Sequence, residues 1–139
     1  EFSKRHYNFS HILEVDYVSG ACLIMRQDLI DKIGLMDEGY FVYNEDDDLC
    51  LRVKQNNYHI YYVPEAGVIH YGQKGGGQIH PYRMIIEIHK GIFRLYRKFY
   101  HKRNKITDCI LLLVISFRAF ILITLKLIKR FLQSFKPRK

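Results

Sequence analysis

Side chains capable of chemistry are concentrated at Glu45-Asp46-Asp47-Asp48 in this 139-residue chain. Four adjacent carboxylates repel one another and resist burial. Yet they run directly into Leu49, Cys50 and Val53, which repeat like the core stripe of a helix. Acids in a first helical turn are favoured by the positive end of the dipole. At about 100° per residue, Asp46 falls on the face of Leu49 and Cys50 and leans inward, whereas Asp47 lies well round toward solvent. Asp48 is spaced to pair with Arg52 one turn later. A carboxylate held at such a position can take a proton from an alcohol. The same residues also suit a solvated, charged helix start, and residue types alone leave both readings open.

Two other acid chemistries fail. An EF-hand loop counted from Asp46 lacks glycine at its sixth position and has Asn57 where a bidentate glutamate belongs. A two-carboxylate glycosidase is poorly served, because acids at i and i+2 of a helix diverge. His70 ends an apolar stretch and enters a loop containing Gly75-Gly76-Gly77. A histidine there can reach a ligand from a fixed backbone, although a hydrogen-bonded strand end is the commoner role. The glycines make neither a GxGxxG nor a Walker loop; they could close over something. Cys22, Cys50 and Cys109 are far apart, each among apolar neighbours, which predicts buried thiols in a reducing compartment rather than a disulfide frame or a zinc site.

The elements that must position these residues follow from periodicity and punctuation. Residues 15–25 predict a strand, or strand and turn, around Gly20-Ala21. Residues 28–33 predict a short helix stopped by Gly34. An aromatic-rich loop over 34–43 leads to Asn44, a suitable N-cap for a helix to about Asn56. Strands are expected at 58–63, ended by Pro64, and at 67–70. A helix over 82–100, interrupted by Gly91, is joined through 101–105 to a long apolar helix over 106–132.

Charge divides the chain. Residues 1–82 carry 7 basic and 12 acidic side chains; residues 83–139 carry 15 and 2. The first part reads as a mildly acidic folded piece and the second as a basic extension suited to an anionic surface. Residues 109–125 contain one charge, Arg118. On a helical wheel Asp108, Arg118, Lys126, Lys129, Arg130 and Gln133 share an arc of roughly 120°, the remainder being apolar. That predicts an amphipathic helix in a membrane interface, with packing on protein and a tilted span as alternatives. Arg94, Arg97, Lys98, Lys102, Arg103 and Lys105 add attraction for anionic lipid. Nucleic acid is not expected as a partner, because a long apolar helix suits no groove and no recognition motif is present.

In order, SGACLIMR, GLMDEGYFVYNEDDDLCLRV, YHIYYVPEAGVIHYGQKGGG and EIHKGIFRLYRKFY resemble the C-terminal half of the catalytic domain of family 2 glycosyltransferases, nearest to rhamnosyltransferase-like members. The resemblance runs over residues 15–101. It implies an α/β, Rossmann-like GT-A fold: residues 1–81 as the acceptor-side part, 82–105 as a basic helical extension and 106–139 as a membrane-associating helix. It also implies inverting transfer of a sugar, with rhamnose suggested, from a nucleotide-sugar to a glycan or lipid-linked acceptor in cell-surface polysaccharide synthesis. The setting would be peripheral, at the cytoplasmic membrane face. Asp46 falls on the catalytic base of the ED motif and Glu45 on its companion. Gly20, Ala21, Asp48 and Arg52 fall on the acceptor side. Gly75, Gly76 and Gly77 would form a donor loop, and His70 a ligand to Mg²⁺ or Mn²⁺ whose other ligands come from an N-terminal half. That half, with its DxD motif, is expected upstream of Glu1, so the isolated chain is expected not to turn over. A non-catalytic membrane-anchored remnant, or a basic lipid- or nucleic-acid-binding module, is the alternative.

Overall fold

The computed structural model describes residues 10–71, 80–100 and 104–135. Two compact units emerge: residues 10–39 with 45–71, and residues 40–44 with the described part of 80–135.

The first unit is a small helix-and-ribbon core. Strands β1 (Leu13–Val15) and β2 (Ile60–Tyr62) pair antiparallel, with Val15 opposite Ile60 and Leu13 opposite Tyr62. Helix α1 (Gln27–Ile33) stops at Gly34, whose φ of 75° is open to glycine at no steric cost. Helix α2 (Glu45–Gln55) ends in a Schellman turn. Tyr58 N–H reaches the Val53 carbonyl, Asn57 N–H reaches that of Lys54, and Asn57 sits at φ 60°. Leu29, Cys50, Val53 and Ile60 form the core, with Val15, Val18, Met25, Ile33 and Tyr58 packed around it.

Several expectations need correction. The helices predicted in this unit form, but the α/β expectation holds only as two short antiparallel strands beside helices. Among the described residues there is no parallel sheet, so a GT-A architecture does not follow from this chain. Of the strands expected over 15–25 and 67–70, only Val15 lies in one. Strand propensity becomes a strand only where a neighbour supplies hydrogen bonds. Asn44 is not in the extended conformation of an ordinary N-cap: Tyr43 and Asn44 lie at φ 59° and 67°. A bulky residue held there costs on the order of 1–3 kcal/mol, and such strain gathers at functional sites. Of the cysteines, Cys50 is buried while Cys22 and Cys109 are exposed, so one buried thiol replaces the three expected. Burial raises the Cys50 thiol above its ordinary pKa, leaving it inert, with its S–H directed at the Val18 carbonyl.

The second unit is a helical hairpin with a short segment laid against it. Helix α3 (Pro81–Phe99) begins with proline at its first position and runs unbroken through Gly91. Gly91 does not interrupt the helix because its missing side chain admits Asn44: a Cβ there would come within 2.6 Å of Asn44 Oδ1. Arg83 stacks on Phe41 at 4.1 Å and Arg94 on Tyr40 at 5.3 Å. Helix α4 (Lys105–Ser134) opens with a reciprocal cap: Asn104 Oδ1 accepts from Thr107 N–H, and Thr107 Oγ1 accepts from Asn104 N–H. Tyr96 bonds Thr107 and His89 bonds Arg118, so α3 and α4 run antiparallel. Gly75, Gly76 and Gly77, with Lys102 and Arg103, lie outside the described residues.

Candidate active site

Asp46 occupies the first turn of α2 and is half-buried. Its Oδ2 accepts from the Tyr17 hydroxyl at 2.7 Å and from Gly20 N–H at 3.2 Å; its Oδ1 accepts from Asp47 N–H at 3.1 Å. A carboxylate has about four acceptor directions, so these donors leave about one open. The side chain is therefore oriented on both oxygens without being saturated. That is the condition a proton acceptor must meet.

The loop after β1 is shaped to deliver those donors. Ala21 N–H donates to Ser19 Oγ at 3.3 Å and Cys22 N–H to the Ser19 carbonyl at 3.4 Å, which closes a tight turn. A Cβ at Gly20 would stand 3.0 Å from Met36 Cε and 3.8 Å from Asp46 Cβ. The small-residue turn and the ED pair, separate in the sequence, are thus brought together.

Tyr17 is the residue that sequence reasoning missed. Nothing in the spacing singles it out from the 11 tyrosines. Burial, followed by its hydrogen bond to Asp46 and the nearby acids, raises the phenol well above its ordinary value of 10.0. It therefore remains a donor to Asp46 through the whole working range of pH. Because the folded state holds this proton more tightly, its contribution to stability is present below pH 10 and is lost as pH rises beyond it. Tyr17→Phe is expected to flatten the alkaline limb of the stability curve above that pH, read from urea midpoints. An unchanged limb would refute the contact.

Glu45 stands beside Asp46 with Oε2 buried and without a hydrogen-bond partner among the described residues. A buried acceptor left so costs about 1–3 kcal/mol, and a ligand hydroxyl could relieve it. Asp47 is half-buried rather than solvated.

Asp48 and Arg52 form the expected i, i+4 pair at 2.7 Å, but in the interior, with the Asp48 side chain wholly buried. Arg52 also donates to the carbonyls of Ile33, Gly34 and Leu35. It thereby satisfies the open C-terminal carbonyls of α1 from α2. Buried and occupied in this way, the pair positions α2 and does not itself present a surface to a sugar.

His70 is exposed on the irregular segment after β2, and no hydrogen bond joins it to Asp46. Among the described residues no three His, Cys, Asp or Glu side chains converge to hold a metal ion. His70 offers one nitrogen, which does not make a metal centre. An apolar cavity of about 480 Å³ runs between the turn at Cys22, the α2 side chains Leu49 and Cys50, and β2. Its wall abuts the Asp46 turn, but neither Asp46 nor His70 lines it.

Comparison with known proteins bears on this geometry. The chain is 39% identical over 57 residues to rhamnosyltransferase WbbL of Escherichia coli, covering 41% of this chain and 22% of that protein. It is 38% identical over 64 residues to an N-acetylglucosaminyl-diphospho-decaprenol L-rhamnosyltransferase of Mycobacterium tuberculosis, covering 46% and 21%. It is 29% identical over 56 residues to the low-salt glycan biosynthesis hexosyltransferase Agl10 of Haloferax volcanii, covering 40% and 18%. The chain thus carries a rhamnosyltransferase-like segment and spans about a fifth of the length of these relatives. No protein-family model matches it, and no solved structure matches it significantly.

Proposed function

We propose that this chain supplies the acceptor-side machinery of an inverting glycosyltransferase, with Asp46 as general base. The observation that carries the reading is the Asp46 carboxylate, held by Tyr17 and Gly20 with an acceptor direction open, in a chain similar to rhamnosyltransferases. The acceptor hydroxyl would lie in that open direction. As its oxygen bonds to the anomeric carbon of a nucleotide-sugar, the proton passes to Asp46. The bond to the nucleoside diphosphate breaks on the opposite face, inverting the centre. Glu45 orients the acceptor through its unpartnered oxygen, and Asp48 and Arg52 act through the placement of α2.

Rhamnose as donor sugar and a glycan or lipid-linked acceptor are supported by the names of the relatives. A divalent ion, Mg²⁺ or Mn²⁺, would supply charge neutralisation at the leaving diphosphate, with ligands beyond the described residues and His70 as one contributor. Because His70 is exposed, His70→Ala should leave the unfolding free energy nearly unchanged, within about 0.5 kcal/mol. The same substitution should raise the metal concentration needed for half-maximal transfer. An unchanged metal requirement would remove His70 from that role.

The basic second unit is proposed to hold the protein peripherally on the cytoplasmic face of the membrane, where a lipid-linked acceptor presents its sugar. The test of transfer is direct. A chain extended to the length of the relatives is supplied with nucleotide-activated rhamnose and a diphospholipid-linked sugar, and the product's anomeric configuration is read by NMR. Transfer with retention, or hydrolysis without transfer, would overturn the proposal. A non-catalytic, membrane-anchored module is the second reading, favoured by the large apolar side chains that α4 leaves exposed.

A further inference from the structure

Helix α4 packs with its apolar side outward. Asp108, Leu111, Ile115, Ala119 and Ile123 form its half-buried stripe and repeat at intervals of three and four, within an arc of about 120°. Lys126, Lys129 and Arg130 continue that arc beyond it, and Arg118 lies at its edge. The stripe faces α3. Opposite it, Ile110, Leu113, Phe117, Ile121, Ile128 and Phe131 are all exposed. A hairpin made for water would cover the second set as well as the first. This one leaves a continuous apolar strip along its length, of the kind that marks an interaction surface.

The α3-facing side of α4 also carries one polar contact. His89 is 5% exposed. Its Nδ1 lies 2.6 Å from the Ile85 carbonyl and its Nε2 lies 3.1 Å from Arg118 Nη1. A carbonyl only accepts and a guanidinium only donates, so Nδ1 carries the proton, Nε2 is bare and the ring is neutral. The one cation of the apolar stretch, although itself exposed, thereby bonds α3. Sequence periodicity had turned Arg118 toward headgroups; the fold turns it toward α3.

By length and composition α4 could cross a bilayer, its most apolar window having a mean hydropathy of 2.4. Its pairing with α3 argues against this. Over much of that window α4 is paired with α3, which carries Arg83, Glu87, Lys90, Arg94, Arg97 and Lys98. A central Lys or Arg costs about 2.5–3.5 kcal/mol to place in the hydrocarbon, and α3 would bring five.

We propose that α3 and α4 form a hairpin lying along an anionic bilayer surface. The apolar strip of α4 is sunk among the acyl chains. Helix α3 rides above it on the aqueous side, held by the stripe and by the His89–Arg118 contact, and α4 does not cross. The occupant follows from charge: the cations of both helices stand on or above the headgroup side, where anionic lipid is attracted. This rests on the membrane attachment proposed above and not on sugar transfer, so either can fail without the other.

The test is a nitroxide scan of single cysteines at positions 110–125 in the whole chain. Cys22 and Cys109 are replaced by serine, and the buried Cys50 is retained. The vesicles are phosphatidylcholine containing phosphatidylglycerol. Depth is expected to oscillate with a period of about 3.6 residues, deepest at Phe117 and Ile121 and shallow at Ala119, with a constant mean along the helix. A single depth maximum near the middle would show a crossing helix and overturn the proposal, as would spin labels shielded from oxygen by protein. The unmodified chain provides a second measurement. An impermeant amine reagent added outside the vesicles should label both Lys105 and Lys129, and protection of one end would refute the in-plane arrangement.

Discussion

Asp46→Asn, in a chain long enough to be active, is expected to lower glycosyl transfer by about 10²–10⁴-fold, the usual contribution of a general base, with donor affinity unchanged. The amide is nearly isosteric, and its oxygen can still accept from Tyr17 and Gly20. Its nitrogen would then face Asp47 N–H, where Oδ1 accepts at present, replacing one hydrogen bond by two opposed donors. That costs about 1–3 kcal/mol locally, small enough for the fold to survive in a longer domain. The amide cannot take a proton from an alcohol, so the chemical step is lost while binding persists. Rapid-mix transfer assays beside calorimetric donor titration separate the two. Turnover close to that of the parent would take the base role from Asp46, and loss of donor binding would mean that the residue shapes the donor site instead.

Arg52→Ala carries the largest expected effect on stability. The guanidinium holds a fully buried carboxylate at 2.7 Å and also serves the three carbonyls that end α1. A buried ion pair adds little over an apolar pair, but breaking one strands the surviving charge at a cost of about 3–5 kcal/mol. Against a typical total of about 5–15 kcal/mol, that is between about a fifth and the whole of the stability. Arg52→Lys should recover only part of the loss, since an ammonium cannot reproduce the planar fork. Urea midpoints decide the matter. A midpoint for the alanine variant equal to that of the parent would mean that α1 and α2 are held together by the Leu29–Cys50–Val53 core alone.

Local chemistry made a good part of this molecule readable before any coordinates. The four acids followed by Leu49 and Cys50 marked the start of α2 to within a residue, because helix dipole and periodicity act within one or two turns. Gly34 was legible as a helix stop for the same reason, and it takes a left-handed φ; that Asn57 does the same was not. The i, i+4 spacing of Asp48 and Arg52 was legible too, although not its depth. Of the strands expected over 15–25 and 67–70 only Val15 lies in one, since a strand depends on partners distant in sequence.

What the order of residues determined alone was where the helices begin and end, where the acids stand, and how charge divides the chain. Only the tertiary structure decided that Tyr17 and Gly20 close on Asp46, from 29 and 26 positions away. It alone decided that Arg52 seals α1, and that Arg118 turns to His89 so that the apolar side of α4 faces outward. Hydrogen bonds within a turn are set by neighbours along the chain. Contacts across tens of residues are set by which faces the core leaves free, and no local pattern carries that information.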